Sequence, residues 1–283
     1  MRTVLQSARF YFWPVIVANV LATTAGAGGD FRRMAAFSAV IATISSFGFL
    51  VNDLCDRAID RVNHAGHFES SPRHTLALGW CAAGVFATVG LLIAWQLGSL
   101  AFLIALGSAV CLGLYSPLLR RALILPNVAT AWFATGPLWT PLALTPGGGA
   151  RWQWWLALGV FLMLTGREIL MDVRDRSGDA IGGRPTLATV AGARLAVRTA
   201  VGLTIAAFVP FVTGVLVAST HVTPGAIACG VILTSAIAVL MLGPALRLPV
   251  DTRLDAAIQA YVRSSRLAMA VLPALLWVLA ASS

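Results

Sequence analysis

Lysine is absent from this 283-residue chain, and acidic side chains are scarce: 11 in all, nine Asp and two Glu. Charged residues make up 11% of the sequence against 58% hydrophobic, and the mean hydropathy is +0.84. Soluble domains carry about 25% charged residues and are at most about half apolar, so a single water-soluble globule is excluded. The apolar runs also lack strand-like alternation, which excludes a closed membrane barrel. The four cysteines (Cys55, Cys81, Cys111, Cys229) show no C-x-x-C spacing. That argues against a redox or zinc pair and for small buried hydrophobes. The first apolar stretch, broken by Pro14 and Asn19, is expected to stay as a helix.

What the chain does have is long apolar runs. A bilayer span takes roughly 20 such residues. Nine runs qualify: 10–28, 34–54, 75–96, 98–117, 122–144, 153–172, 195–217, 223–245 and 265–281. The expected fold is all-α: one polytopic membrane domain over residues 1–283 with nine transmembrane helices. The net charge of +9 comes from 20 Arg set between the runs, a loop bias rather than a nucleic-acid surface. With a cytoplasmic N-terminus, 17 Arg fall on the cytoplasmic side and three (Arg32, Arg33, Arg151) outside, as the positive-inside rule requires. The long connections 55–74, 173–194 and 246–264 then share the cytoplasmic face, where function is expected. Thr145–Ala150 reads as an external turn. Trp152, Trp154 and Trp155 read as an external interfacial belt.

Six of the nine Asp occupy two windows with one spacing, D-x-x-D-x-x-x-D. Asp53, Asp56 and Asp60 form the first and Asp172, Asp175 and Asp179 the second, at a constant offset of 119 residues. Each window follows an apolar run, so the second and sixth spans end alike, as in a pseudo-repeat. Steps of three and four place the carboxylates on one helical face. Three like charges there repel unless a cation sits among them. Mg²⁺ suits such hard oxygens and typically takes one or two carboxylates plus substrate phosphates. Two facing clusters are thus suited to a shared diphosphate. Glu168 lies one turn before Asp172. A single D-x-x-D is more often a solvated helix end. Two copies holding most of the acids, beside the membrane, favour function.

At these residues the sequence resembles the UbiA-type intramembrane prenyltransferase superfamily. The similar segments are Asn52-Asp53-x-x-Asp56-x-x-x-Asp60 and Arg167-Glu168-x-x-x-Asp172-x-x-Asp175-x-x-Gly178-Asp179-x-x-x-Gly183-x-x-Thr186-Leu187. A third, Tyr115-Ser116-Pro117-Leu118-Leu119-Arg120-Arg121 with Pro126-Asn127, resembles the segment after the family's fourth span. The resemblance implies a helical bundle around a central cavity open to lipid. It also implies Mg²⁺-dependent ionisation of an allylic prenyl diphosphate and transfer of the prenyl group to an acceptor. The implied metal ligands are Asp53, Asp56, Asp60, Asp172, Asp175 and Asp179, of which Asp53, Asp56, Asp172 and Asp175 are also the implied catalytic residues. The implied diphosphate ligands are Asn52, Tyr115, Arg120 and Asn127, while Arg57 and Arg174, interleaved with the Asp, are candidates either to bind the diphosphate or to pair with the carboxylates. Arg120 stands where the family often has Lys, which keeps the charge in a planar fork.

The acceptor is expected to be lipophilic, in the first instance aromatic. A terpene cyclase of the same superfamily, which needs no acceptor, is the alternative. A cation carrier is disfavoured because transporter sites lie near the membrane midplane. Phe47, Phe49, Trp132 and Trp139 are candidates for cation–π contact with a carbocation, although each is individually better explained by packing. Asn19 is expected to hydrogen-bond a neighbouring helix. His64, His67 and His74 read as a solvated loop. The family's Asn-x-Arg-Pro is replaced here by Asn63-His64-Ala65-Gly66, and its Thr-Leu-Pro by Thr186-Leu187-Ala188. The expected setting is a bacterial inner membrane with the active site facing the cytoplasm.

Overall fold

The structure is a computed structural model that describes residues 1–24, 30–57, 60–61, 67–115, 121–145, 148–246 and 254–280. Among these residues every regular element is helical. A short α1 (Arg2–Ser7) and a 3-10 turn (Phe10–Phe12) lead into α2 (Trp13–Thr24). Then come α3 (Phe31–Cys55), α4 (Arg73–Leu97), α5 (Ser99–Tyr115), α6 (Leu125–Ala134), α7 (Gly136–Leu144) and α8 (Arg151–Arg174). The short α9 (Arg176–Ile181) and α10 (Leu187–Val190) precede α11 (Ala193–Ala206), α12 (Phe208–Ala218), α13 (Pro224–Leu246) and α14 (Leu254–Ala280).

Local chemistry sets the helix ends. The Asp30 carboxylate accepts the Arg32 backbone N–H at 3.1 Å and caps α3. Gly98, with φ 116°, turns the chain sharply between α4 and α5. Gly148 and Gly149, at φ 76° and 70°, make the expected turn before α8. Gln153 closes the first turn of α8 by accepting Ala150 N–H at 2.9 Å.

All nine apolar runs are largely helical where described, and among the described residues six helical segments qualify as membrane spans by length and composition. The other three runs differ for separate reasons. α5 is described over 17 residues, up to the end of the described stretch at Tyr115. The run 122–144 is split into α6 and α7 because Pro137 has no N–H for the Phe133 carbonyl. α8 carries Arg167, Glu168, Asp172 and Arg174 near its end. The run 195–217 is also jointed, at Ala207, where Pro210 cannot donate to Ala206.

α8 packs against α6, α11, α12 and α14 and forms the spine of one half of the fold. Small residues let it approach its neighbours. A Cβ on Gly166 would come within 2.7 Å of the Ala200 carbonyl of α11, and one on Gly159 within 3.0 Å of the Ala207 carbonyl. Such close backbone contact is how helices associate in lipid. The other half is built on α3, which packs on α4, α5 and α2.

Three expectations change. All four cysteines are exposed, on outward faces rather than in the core. Trp152 is buried at 2% exposure, packed in the core around α8, while Trp154 and Trp155 are exposed. Asn19 donates to the Val15 carbonyl of its own helix at 2.8 Å rather than to a neighbour. His67 and His74 are exposed, the latter in the first turn of α4; His64 lies outside the described residues.

Candidate active site

The two acidic windows close their helices in the same way. Asp56 follows α3, and its N–H donates to Asn52 O at 2.9 Å; Asp175 follows α8, and its N–H donates to Met171 O at 2.9 Å. The chain then turns again, Asp60 N–H to Asp56 O at 2.9 Å and Asp179 N–H to Asp175 O at 3.0 Å. The third Asp of each window therefore sits on a new turn rather than on one unbroken helical face. Asp179 is 1% exposed, and Asp60 is half-buried.

All six Asp line one cavity of about 310 Å³ between the ends of α3 and α8. Asn52, Tyr115, Asn127, Glu168 and Arg174 line it too. Asn127 donates Nδ2–H to Asp172 Oδ2 at 2.7 Å, and Thr130 donates to the Tyr115 hydroxyl at 3.1 Å. Arg174 makes a two-pronged pair with Asp175, both contacts 2.6 Å. Arg57 does not line the cavity: its Nε donates to the Phe68 carbonyl at 3.1 Å. Arg120 lies outside the described residues.

Two arginines absent from the sequence-based site belong to the cavity. Arg184 reaches Asp172 Oδ1 at 3.8 Å and Asp179 Oδ1 at 3.5 Å. Its signal was its place inside the Gly183-x-x-Thr186 segment. Arg9 reaches Asp53 Oδ1 at 3.3 Å from the N-terminus; nothing in its spacing marks it.

Of the aromatic candidates, Phe49 lines this cavity. Phe47 packs among the clusters joining α3 to α4 and α5. Trp132 and Trp139 stack on each other, centroids 4.5 Å apart. Trp139 lines a smaller apolar cavity that shares Ser45, Leu112 and Phe133 with the first. The site thus has a polar end and an apolar inner end.

The donor set suits Mg²⁺ bound together with an anion. Among the described residues no three carboxylates stand close enough to hold an ion by themselves. That is the arrangement Mg²⁺ uses when phosphate oxygens complete its shell. Arg184 Nε and Asn127 Oδ1 are buried without a hydrogen-bond partner. A buried guanidinium N–H left unpaired is costly, and an anionic oxygen would satisfy it.

A helical bundle with a carboxylate-lined cavity at one end agrees with the architecture that the sequence resemblance implied. The chain belongs to the UbiA prenyltransferase family, whose model matches residues 11–281. It is 32% identical over 176 residues to the digeranylgeranylglyceryl phosphate synthase of Methanoculleus marisnigri, covering 61% of this chain and 63% of that protein. The chain thus matches less than two thirds of that relative's length. Its fold is that of the UbiA homolog from Archaeoglobus fulgidus bound to GPP and Mg²⁺, with TM-score 0.67 and 18% identity over 97% of this chain and 99% of that one. It is also that of the apo UbiA homolog from Aeropyrum pernix K1, with TM-score 0.71 and 16% identity over 96% of each. The relatives are archaeal, so they lend no support to a bacterial setting.

Proposed function

We propose that this protein ionises an allylic prenyl diphosphate with the help of Mg²⁺ and transfers the prenyl group to a lipophilic acceptor. The observation that carries the reading is the convergence of two matched Asp triplets, 119 residues apart in sequence, on one cavity with an apolar inner end. The names of the relatives support it and point to an alcohol on a glyceryl phosphate lipid as acceptor, ahead of the aromatic acceptor expected at first.

Bound among these carboxylates, Mg²⁺ would supply Lewis-acid stabilisation of the departing diphosphate. Asp53, Asp56 and Asp60 would hold it from α3, and Asp172, Asp175 and Asp179 from α8. Asn127 fixes the Asp172 carboxylate, and Arg174 fixes that of Asp175, so both enter the reaction already oriented. Arg184 offers its free Nε–H to the charge that develops on the leaving group. Phe49 and Phe133 line the cavity, and their ring faces suit a carbocation. The apolar chamber beyond them takes the hydrocarbon chain and keeps water from the cation.

The test uses purified protein with C10, C15 and C20 prenyl diphosphates, with and without Mg²⁺. A glyceryl phosphate lipid, an aromatic acceptor or no acceptor is added, and products are read by mass. Prenylated lipid formed only with acceptor and Mg²⁺ is the expected result. Cyclic terpene formed without acceptor would overturn transfer in favour of cyclisation.

A further inference from the structure

The segment before α2 folds back onto the first Asp window. Ser7 donates to Asp53 Oδ2 at 2.9 Å, and Arg9 Nη2 reaches Asp53 Oδ1 at 3.3 Å. Both oxygens of this buried carboxylate thus face the N-terminal segment. Ser46 of α3 ties the same segment down twice. It donates to the Ala8 carbonyl at 2.9 Å and accepts Trp13 Nε1–H at 3.1 Å. Between these anchors Arg9 has φ 52° and ψ 45°. Among the described residues it is the sole non-glycine with positive φ. Backbone strain of this kind persists only where surrounding contacts enforce it, and it clusters at functional sites.

The strain aims the side chain. The Arg9 guanidinium lies 4.4 Å above the Phe49 ring and lines the same cavity as Asp53, Asp56 and Asp60. Its contact with Asp53 is loose for an ion pair, since charge-assisted N–H···O bonds run about 2.7–2.9 Å. A divalent cation on Asp53 would meet this guanidinium as a like charge. An anion bridging the two removes the conflict.

We propose that Arg9 is a diphosphate-binding residue, resting on Asp53 until the metal–diphosphate enters and then turning about the Phe49 face to the phosphate oxygens. This rests on the function proposed above. The competing role is a structural tether that holds the N-terminus and orients Asp53. The two differ in sign. A diphosphate ligand that competes with metal for Asp53 weakens metal binding alone while strengthening the metal–diphosphate complex. A tether supports both.

The test is calorimetry and thermal melting of the full-length protein in detergent, using Mg²⁺ alone and inorganic pyrophosphate at saturating Mg²⁺. Arg9→Gly removes the cation and accepts the positive φ, so its melting temperature is expected to be no lower than wild type. Pyrophosphate affinity should fall on the order of 10- to 100-fold, with Arg9→Lys in between. The rise in melting temperature caused by Mg²⁺ alone should be no smaller than in wild type. Pyrophosphate affinity in Arg9→Gly equal to wild type would overturn the proposal. So would a parallel loss of the Mg²⁺ response or a lower melting temperature, which mark a tether. If wild type itself fails to bind pyrophosphate with Mg²⁺, the proposed function falls first and Arg9 with it.

Discussion

Burial pushes the Asp60 carboxyl from the usual range up to about 7, reinforced by the charges of Asp53, Glu69 and Asp175 and opposed by Arg9. The folded pKa lies above the unfolded value of about 4. Its stabilising contribution is therefore complete below about pH 4 and is lost as pH rises through about 7. The metal-free protein should melt at lower temperature at pH 8 than at pH 6, and Asp60→Asn should flatten that slope. Added Mg²⁺ should raise the melting temperature more at pH 8, where Asp60 is ionised. Thermal scans across this range check both signs. The Asp windows were legible in the sequence because one spacing recurs. Arg9 was not, because a left-handed turn brings it from outside either window. Arg184 was overlooked because its neighbours, not the Arg itself, carry the resemblance. Arg57, interleaved with the first Asp window, was read as a candidate phosphate ligand, yet its Nε is spent on the Phe68 carbonyl.

At the level of helices, the site depends on how closely α8 sits against α11. Gly166→Val would press into the Ala200 carbonyl, 2.7 Å from the new Cβ. It should cost about 1–3 kcal/mol through overpacking and lower turnover by moving Asp172. Gly202→Val, with nothing within 4 Å, should leave both unchanged. Melting temperature and initial rate of the two variants test the contact. The apolar runs announced each long helix, since length and hydropathy suffice for that. They did not announce the joints at Thr135 and Ala207. A proline breaks one hydrogen bond without lowering the apolar character of the run.

Across the whole molecule, the six Asp lie at one end of the bundle, and the Arg bias proposes that this end is cytoplasmic. Ser70 and Thr220 are exposed and lie on opposite sides in that topology. With the four native cysteines replaced by Ala, an impermeant maleimide added to intact cells should label Thr220→Cys and not Ser70→Cys. The reverse pattern would place the N-terminus outside. Length and hydropathy announce the helices of the fold, while the charges that α8 carries to the site lower the apolar character of a run that the sequence reads as a span.

The account stands on both Asp windows serving one metal–diphosphate. The direct measurement is Mg²⁺-dependent release of diphosphate from a prenyl diphosphate by wild type, Asp53→Ala and Asp175→Ala, each verified as folded by its melting curve. Release by wild type alone, abolished by removing Mg²⁺ and by either substitution, is the predicted result. Undiminished release in either variant, or release without Mg²⁺, would contradict it.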